Sequence, residues 1–176
     1  MSFDAFARSI TSPVLREIVL HWGESRGAKI LPAWEQLNLQ NTEVSLIWIY
    51  RYDPVTGRFT GRLAGDRITK ALGKTLRGLP LDDAHSARDY LWVHRYLTRV
   101  VAEVVGYRSA GKLFKQAGRF IEGERIALPL ASDGSNADGV LGASEYRHPH
   151  LEGEFEILTE NEVWETLGQA KTGTDK

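Results

Sequence analysis

The sequence contains no cysteine, and this absence excludes several kinds of site at once. Without thiols the chain can form no disulfide, no thiolate metal site, no iron–sulfur cluster and no cysteine nucleophile. A cysteine-free chain also fits a reducing compartment, so we expect a cytoplasmic protein.

Long hydrophobic runs and an excess of charge of one sign are missing as well. No run approaches the roughly 18 apolar residues that a membrane span requires. The first ten residues include Asp4 and Arg8 instead of a continuous apolar segment, so we expect no secretory signal. The 22 Lys and Arg nearly balance the 23 Asp and Glu, which gives no global field toward nucleic acid or membrane lipid.

The short motifs of common enzyme classes are absent too. The chain contains neither of the phosphate-binding patterns GxxxxGK[ST] and GxGxxG, and it lacks the hydrolase pattern GxSxG and the metalloprotease pattern HExxH. We therefore expect a protein that is not an enzyme.

What the sequence does contain is a regular succession of helix and strand patterns. Ser12 and Pro13 are typical of a helix start, and Ser86 begins the longest apolar stripe of helical spacing. The chain is predicted to form, in order, a helix at 12–25, an irregular strap at 28–43, strands at 44–52 and 58–64, a short helix from 66, a long helix at 86–105, strands at 109–118, 123–131 and 137–147, and a helix at 159–168.

These elements predict an α+β fold. The two early strands and the later three-stranded meander form a five-stranded antiparallel sheet, and the helices between the two groups cover one face of it. Further helices flank the core at both ends. We divide the chain into an N-terminal helix and strap (1–43), a core (44–147) and a C-terminal tail (148–176). Turns are expected at 118–123 and 133–136, where Gly, Asp and Asn concentrate.

Several short motifs occur in an order that resembles a known family. The strand segment LIWIYRYDPVTGRF is followed by TGRLAG, then by LRGLP, and late in the chain by IALPLASDGSNADGVLGAS. This order is similar to that of the stand-alone bacterial PAS proteins of the PAS_5 (DUF1457) family. The resemblance spans about residues 12–146. It implies a PAS-like sensory domain that binds a small molecule beneath its helices, forms a homodimer and signals to a protein not identified by the sequence.

Four residues are candidates for binding that molecule. Trp48 and Tyr50 belong to an aromatic stripe on the first strand, which either stacks on a planar ligand or packs in the core. Arg62, with Arg58 on the same strand face, either pairs with an anionic ligand or faces water. His94 lies in the long helix, where the resemblance makes it the candidate haem ligand, although a histidine packed in the structure or at its surface is the commoner case.

Two further pairs of residues leave alternatives open. His148 and His150 could contribute to a metal site, but no third ligand follows at familiar spacing. Trp92 and Tyr96 are four residues apart on the long helix and either contact a partner or widen the buried face.

Two other functions compete with the sensory interpretation. One is an interaction module without a ligand. The other is an enzyme on a cone-shaped α+β fold, with His94 or Asp66 as the base, although such folds usually place their long helices ahead of the sheet.

Overall fold

The computed structural model describes residues 3–40, 42–147, 153 and 155–167. Its helices are α1 (Phe3–Ser9), α2 (Pro13–Ser25), α3 (Asp66–Leu72), α4 (Leu81–Ala84) and α5 (Ala87–Glu103). Its strands are β1 (Ile47–Asp53), β2 (Arg58–Ala64), β3 (Val105–Gln116), β4 (Arg119–Leu130), β5 (Gly139–Tyr146), β6 (Phe155–Ile157) and β7 (Val163–Thr166). All seven strands form one antiparallel sheet in the order β2-β1-β5-β4-β3-β6, and β7 also pairs with β3.

The starts of the two long helices are fixed by serine caps, as the sequence predicts. The Ser12 hydroxyl accepts a hydrogen bond from the Leu15 amide at 3.1 Å, and Pro13 occupies the first turn of α2. The Ser86 hydroxyl accepts one from the Asp89 amide at 3.2 Å at the start of α5. Helix α1 was not predicted from the sequence.

The two faces of the sheet are set by the alternation along β1. Ile47 and Ile49 point into a core formed with α1 and α2, which we call the N-terminal core. Trp48 and Tyr50 point into a core formed with α3, α4 and α5, which we call the helical-cap core. Helices therefore cover both faces of the sheet, and the prediction of helices over one face is incomplete.

The first hairpin forms where the sequence predicts it, between β1 and β2. In its turn the Asp53 carboxylate accepts hydrogen bonds from the Val55 amide at 2.9 Å and the Thr56 hydroxyl at 2.8 Å. The strand itself begins at Ile47, because residues 44–46 form a 3₁₀ turn instead of the predicted strand start.

The turn between β3 and β4 is shorter than predicted. It consists of Ala117 and Gly118, which both have positive φ (48° and 75°), and the two strands of 12 residues continue on either side. Positive φ at both central residues is typical of the tight hairpin turn whose twist matches that of the strands. The predicted turn at 118–123 is therefore mostly strand.

The predicted C-terminal helix at 159–168 is wrong over its described part, because residues 159–162 are not helical and residues 163–166 form the strand β7. Residues 155–157, just before it, form the strand β6. Both pair with β3, and they satisfy backbone groups that this edge of the sheet would otherwise leave unpaired. Trp164 packs on Tyr107 with a ring separation of 4.6 Å. The sheet therefore has seven strands instead of the predicted five.

Candidate functional site

A cavity of about 60 Å³ lies between the sheet and the helices α3 and α5. Seven of its sixteen lining residues are aromatic, and they come from β1, β3, β5, β6 and α5. The aromatic residues that line it are Trp48, Tyr50, Trp92, Tyr96, Phe114, Tyr146 and Phe155. The remaining wall is aliphatic apart from three polar side chains, His85, Arg125 and Ser144. An apolar cavity with a few convergent polar groups is the usual form of a small-molecule site.

Trp48 forms part of the cavity floor because a glycine lies opposite it in the sheet. Gly142 of β5 is the register partner of Trp48, and a Cβ atom at this position would lie 2.0 Å from the indole ring. The Trp48 indole N–H donates a hydrogen bond to the Ser144 hydroxyl at 3.1 Å. The indole is thus held flat across β5, with its N–H already satisfied.

Tyr50 and His85 meet at the edge of the cavity. The Tyr50 hydroxyl lies 3.5 Å from Nε2 of His85, and the Tyr50 ring meets that of Trp48 edge-on at 5.9 Å. Burial, followed by the charges of Arg125 and Lys74, lowers the pKa of His85 to about 4. Burial raises the pKa of Tyr50. At neutral pH both side chains are therefore uncharged.

Arg125 is the charged residue of the cavity. It lies on β4 opposite Ser144, and only 6% of the residue is exposed. Its guanidinium donates to the carbonyl oxygens of Leu113 at 3.3 Å and Leu158 at 3.4 Å. Burial raises the pKa of Tyr96, whereas the positive charge of Arg125 lowers it. The guanidinium of Arg125 is therefore close enough to the Tyr96 hydroxyl to interact with it electrostatically.

Sequence reasoning missed His85 and Arg125. The alternation along β4 could have identified Arg125, because Glu124, Ile126 and Leu128 share one face and Arg125 must occupy the other. His85 carries no comparable signal, because it lies in the irregular junction between α4 and α5.

The structure brings Trp48 and Tyr50 together in the cavity but places Arg62 elsewhere. The Arg62 side chain is 41% exposed and lies 3.6 Å from the Glu35 carboxylate. Its guanidinium lies 4.8 Å from the Trp34 ring, in an open groove beside the strap. Arg58 is exposed and lies 3.5 Å from Asp82.

His94 also lies outside the cavity. Its Nε2 is 2.8 Å from the Gly57 carbonyl oxygen, and its ring packs edge-on against Phe59 at 5.7 Å. A haem ligated by this residue does not fit, because the imidazole is engaged with the β1–β2 turn and the cavity is far smaller than a porphyrin.

The remaining sequence candidates take ordinary positions or lie outside the described residues. Trp92 and Tyr96 pack against each other at 4.7 Å and both line the cavity, so they widen the buried face of α5. Asp66 is exposed at the start of α3. His148 and His150 lie outside the described residues. Among the residues that the structure does describe, no group of three potential ligands could hold a metal ion.

An antiparallel sheet with its covering helices inserted between the second and third strands, around a small cavity, defines a PAS-type sensory fold. Comparison with known proteins agrees. The family model for the PAS domain of the PAS_5 group matches residues 10–145. The chain therefore belongs to the PAS domain family. A search of curated proteins found no significant match.

A solved structure with the same fold is that of the PAS domain from Bordetella pertussis BvgS. It aligns with a TM-score of 0.50 and 17% sequence identity, over 65% of this chain and 88% of that one. At this identity the similarity concerns the fold alone. None of the described helices is long and apolar enough to cross a membrane.

Proposed function

We propose that this protein is a non-catalytic sensory or regulatory domain that binds a small molecule in the cavity beneath α3 and α5. The observation that carries this proposal is the cavity itself, which combines an aromatic wall with the polar groups of His85, Arg125 and Ser144. Membership of the PAS family supports a sensory role. Neither residue considered as a catalytic base, His94 or Asp66, faces the cavity.

The helices over the cavity are suited to respond to a ligand. Helix α3 has seven residues and α4 has four, and the segment between them includes Gly73, Gly78 and Pro80. Short elements joined by such segments belong to the less stable parts of a domain. A molecule that binds more tightly to one arrangement of these helices shifts the population toward it.

The output of the domain would pass to another protein. In the part of the chain that the structure describes, α1 and α2 pack on the second face of the sheet, whereas α3, α4 and α5 lie over the cavity. We propose that the signal leaves through the helical cap, in a cytoplasmic homodimer. A monomer at micromolar concentration in sedimentation equilibrium would contradict the dimer.

A cavity-filling variant tests the proposal. Ala71 lines the cavity from α3, and Ala71→Phe should fill it while adding only apolar surface. We expect native mass spectrometry of freshly expressed protein to show a retained small molecule in the wild type and none in Ala71→Phe. The control variant is Ala87→Phe, because Ala87 is exposed at the start of α5. Ala131→Phe would not serve as a control, because Ala131 is fully buried in the N-terminal core.

The result has two clear readings. Loss of the molecule in Ala71→Phe, with retention in Ala87→Phe, would support a ligand site in the cavity. A wild-type protein without any bound molecule, together with no thermal stabilisation by small organic compounds, would favour the interaction module without a ligand.

A further inference from the structure

The side chains of Glu124 and Arg125 are neighbours in sequence, and both are buried, but they lie on opposite faces of β4. Glu124 belongs to the N-terminal side, where its carboxylate accepts hydrogen bonds from the Thr11 and Ser12 amides at 3.0 and 2.6 Å and pairs with Arg108. The charge of Glu124 is thus matched on its own face, and it cannot reach the guanidinium of Arg125.

Arg125 has no such match. Among the residues that the structure describes, no Asp or Glu carboxylate lies within ion-pair distance of its guanidinium. Two weak contacts to carbonyl oxygens use two of its five N–H donors. A buried cation without a counter-charge is costly, since burial removes the water that would otherwise solvate it.

We propose that the cavity binds a small organic monocarboxylate whose carboxylate group pairs with Arg125 and whose apolar body lies against Trp48 and Tyr96. This inference rests on the proposed function and names the ligand class of the same site. A planar guanidinium pairs with a carboxylate through two parallel hydrogen bonds, which supplies the counter-charge that the described residues do not provide.

The charge and size of the site limit the ligand further. Arg125 and His85 are the basic residues in the described wall, and His85 is neutral at pH 7 because its pKa is about 4. Because Arg125 is then the one cation of the described wall, it favours a ligand with a single negative charge. A second negative charge on the ligand would be buried without a partner. A cavity of about 60 Å³ is much smaller than the clefts that hold drug-sized ligands. Benzene occupies an engineered cavity of about 150 Å³, so a ligand with one ring or a short branched chain enters only as the short helices α3 and α4 move outward.

Calorimetric titration of the full chain with benzoate and with benzamide tests this inference, because the two probes have nearly the same shape and differ in charge. We expect wild-type protein to bind benzoate about ten- to a hundredfold more tightly than benzamide. Arg125→Met should lose this preference and keep benzamide binding. It should also remain folded, because methionine is an unbranched apolar side chain that removes a buried charge no described carboxylate neutralises.

Arg95→Met is the matched control, because Arg95 is exposed on α5 and does not line the cavity. It should keep the wild-type preference for benzoate. Equal binding of the two probes to wild type, or an unchanged preference in Arg125→Met, would overturn the inference and leave a neutral-ligand site standing. Binding of neither probe to the wild type would count against both the inference and the proposed function.

Discussion

At the scale of single residues, the two buried charges of β4 have different surroundings. Burial alone would raise the pKa of Glu124, but the Thr11 and Ser12 amides, Arg108 and the Thr11 hydroxyl together hold the pKa of this carboxyl below its usual value. Glu124 therefore fixes the junction of α1 and α2 to the sheet. Arg125, on the other face, is the group that we propose a ligand carboxylate neutralises.

His85 makes the stability of the protein depend on pH. Its pKa is about 4 in the folded protein and 6.5 in an unfolded chain, so the unfolded state binds more protons between these values. The contribution of His85 to the free energy of unfolding is therefore constant above pH 6.5 and falls as the pH drops toward 4. The total loss is up to about 3 kcal/mol.

The substitution His85→Gln checks this prediction, because glutamine keeps a polar side chain and does not titrate. We expect urea unfolding at pH 7, 6, 5 and 4 to show a smaller loss of stability in His85→Gln than in the wild type. Parallel pH profiles for the two proteins would mean that His85 is not held neutral by its surroundings.

At the scale of elements, the C-terminal strands are the feature that most changes the predicted fold. Trp164→Ala should lower the free energy of unfolding by about 2 kcal/mol. The indole packs on Tyr107 of β3, and the Arg99 guanidinium lies 4.2 Å from the indole ring. Chemical denaturation followed by fluorescence measures this loss.

The substitution Glu162→Ala distinguishes the observed strand β7 from the predicted helix. In a helix begun at Thr159, Glu162 would complete a capping box, and its removal would cost about 1 kcal/mol. In the structure Glu162 is exposed just before β7, so we expect almost no change in the free energy of unfolding. A loss of about 1 kcal/mol, as expected for a broken capping box, would contradict the strand.

The elements that sequence reasoning predicted correctly are those with strong local signals. Serine caps and apolar periodicity mark α2 and α5, and the Pro and Gly of residues 53–57 mark the first hairpin turn. The strands β6 and β7 were missed because their pairing with β3 is a long-range interaction, while the local capping pattern at Thr159 indicates a helix.

The candidate site shows the same limit. Trp48 and Tyr50 were found because their alternation lies within one strand. Arg62 was considered because it shares a face of β2 with Arg58 and could pair with an anionic ligand. The structure instead places its guanidinium beside Trp34 and Glu35, next to the register shift in the β1–β2 pairing. Arg125 was missed although the alternation along β4 places it on the cavity face, because the sequence does not show that Ser144 and His85 lie on the same wall.

At the scale of the whole molecule, the sheet separates two cores with different roles. The N-terminal core is filled by α1 and α2 and contains Trp22, whose indole N–H donates to the Pro129 carbonyl oxygen at 2.9 Å. The helical-cap core contains the cavity and Trp48, whose indole N–H donates to Ser144. We infer that ligand binding changes the second core and leaves the first as a fixed support.

The two buried indoles provide the most direct measurement of this division. Their side-chain N–H signals can be followed in ¹H–¹⁵N NMR spectra during titration with benzoate or benzamide, after assignment with Trp22→Phe and Trp48→Phe. We expect the Trp48 signal to shift in proportion to the fraction of protein bound, while the Trp22 signal stays in place. A stationary Trp48 signal at saturation, or equal shifts of both signals, would contradict a ligand site beneath α3 and α5.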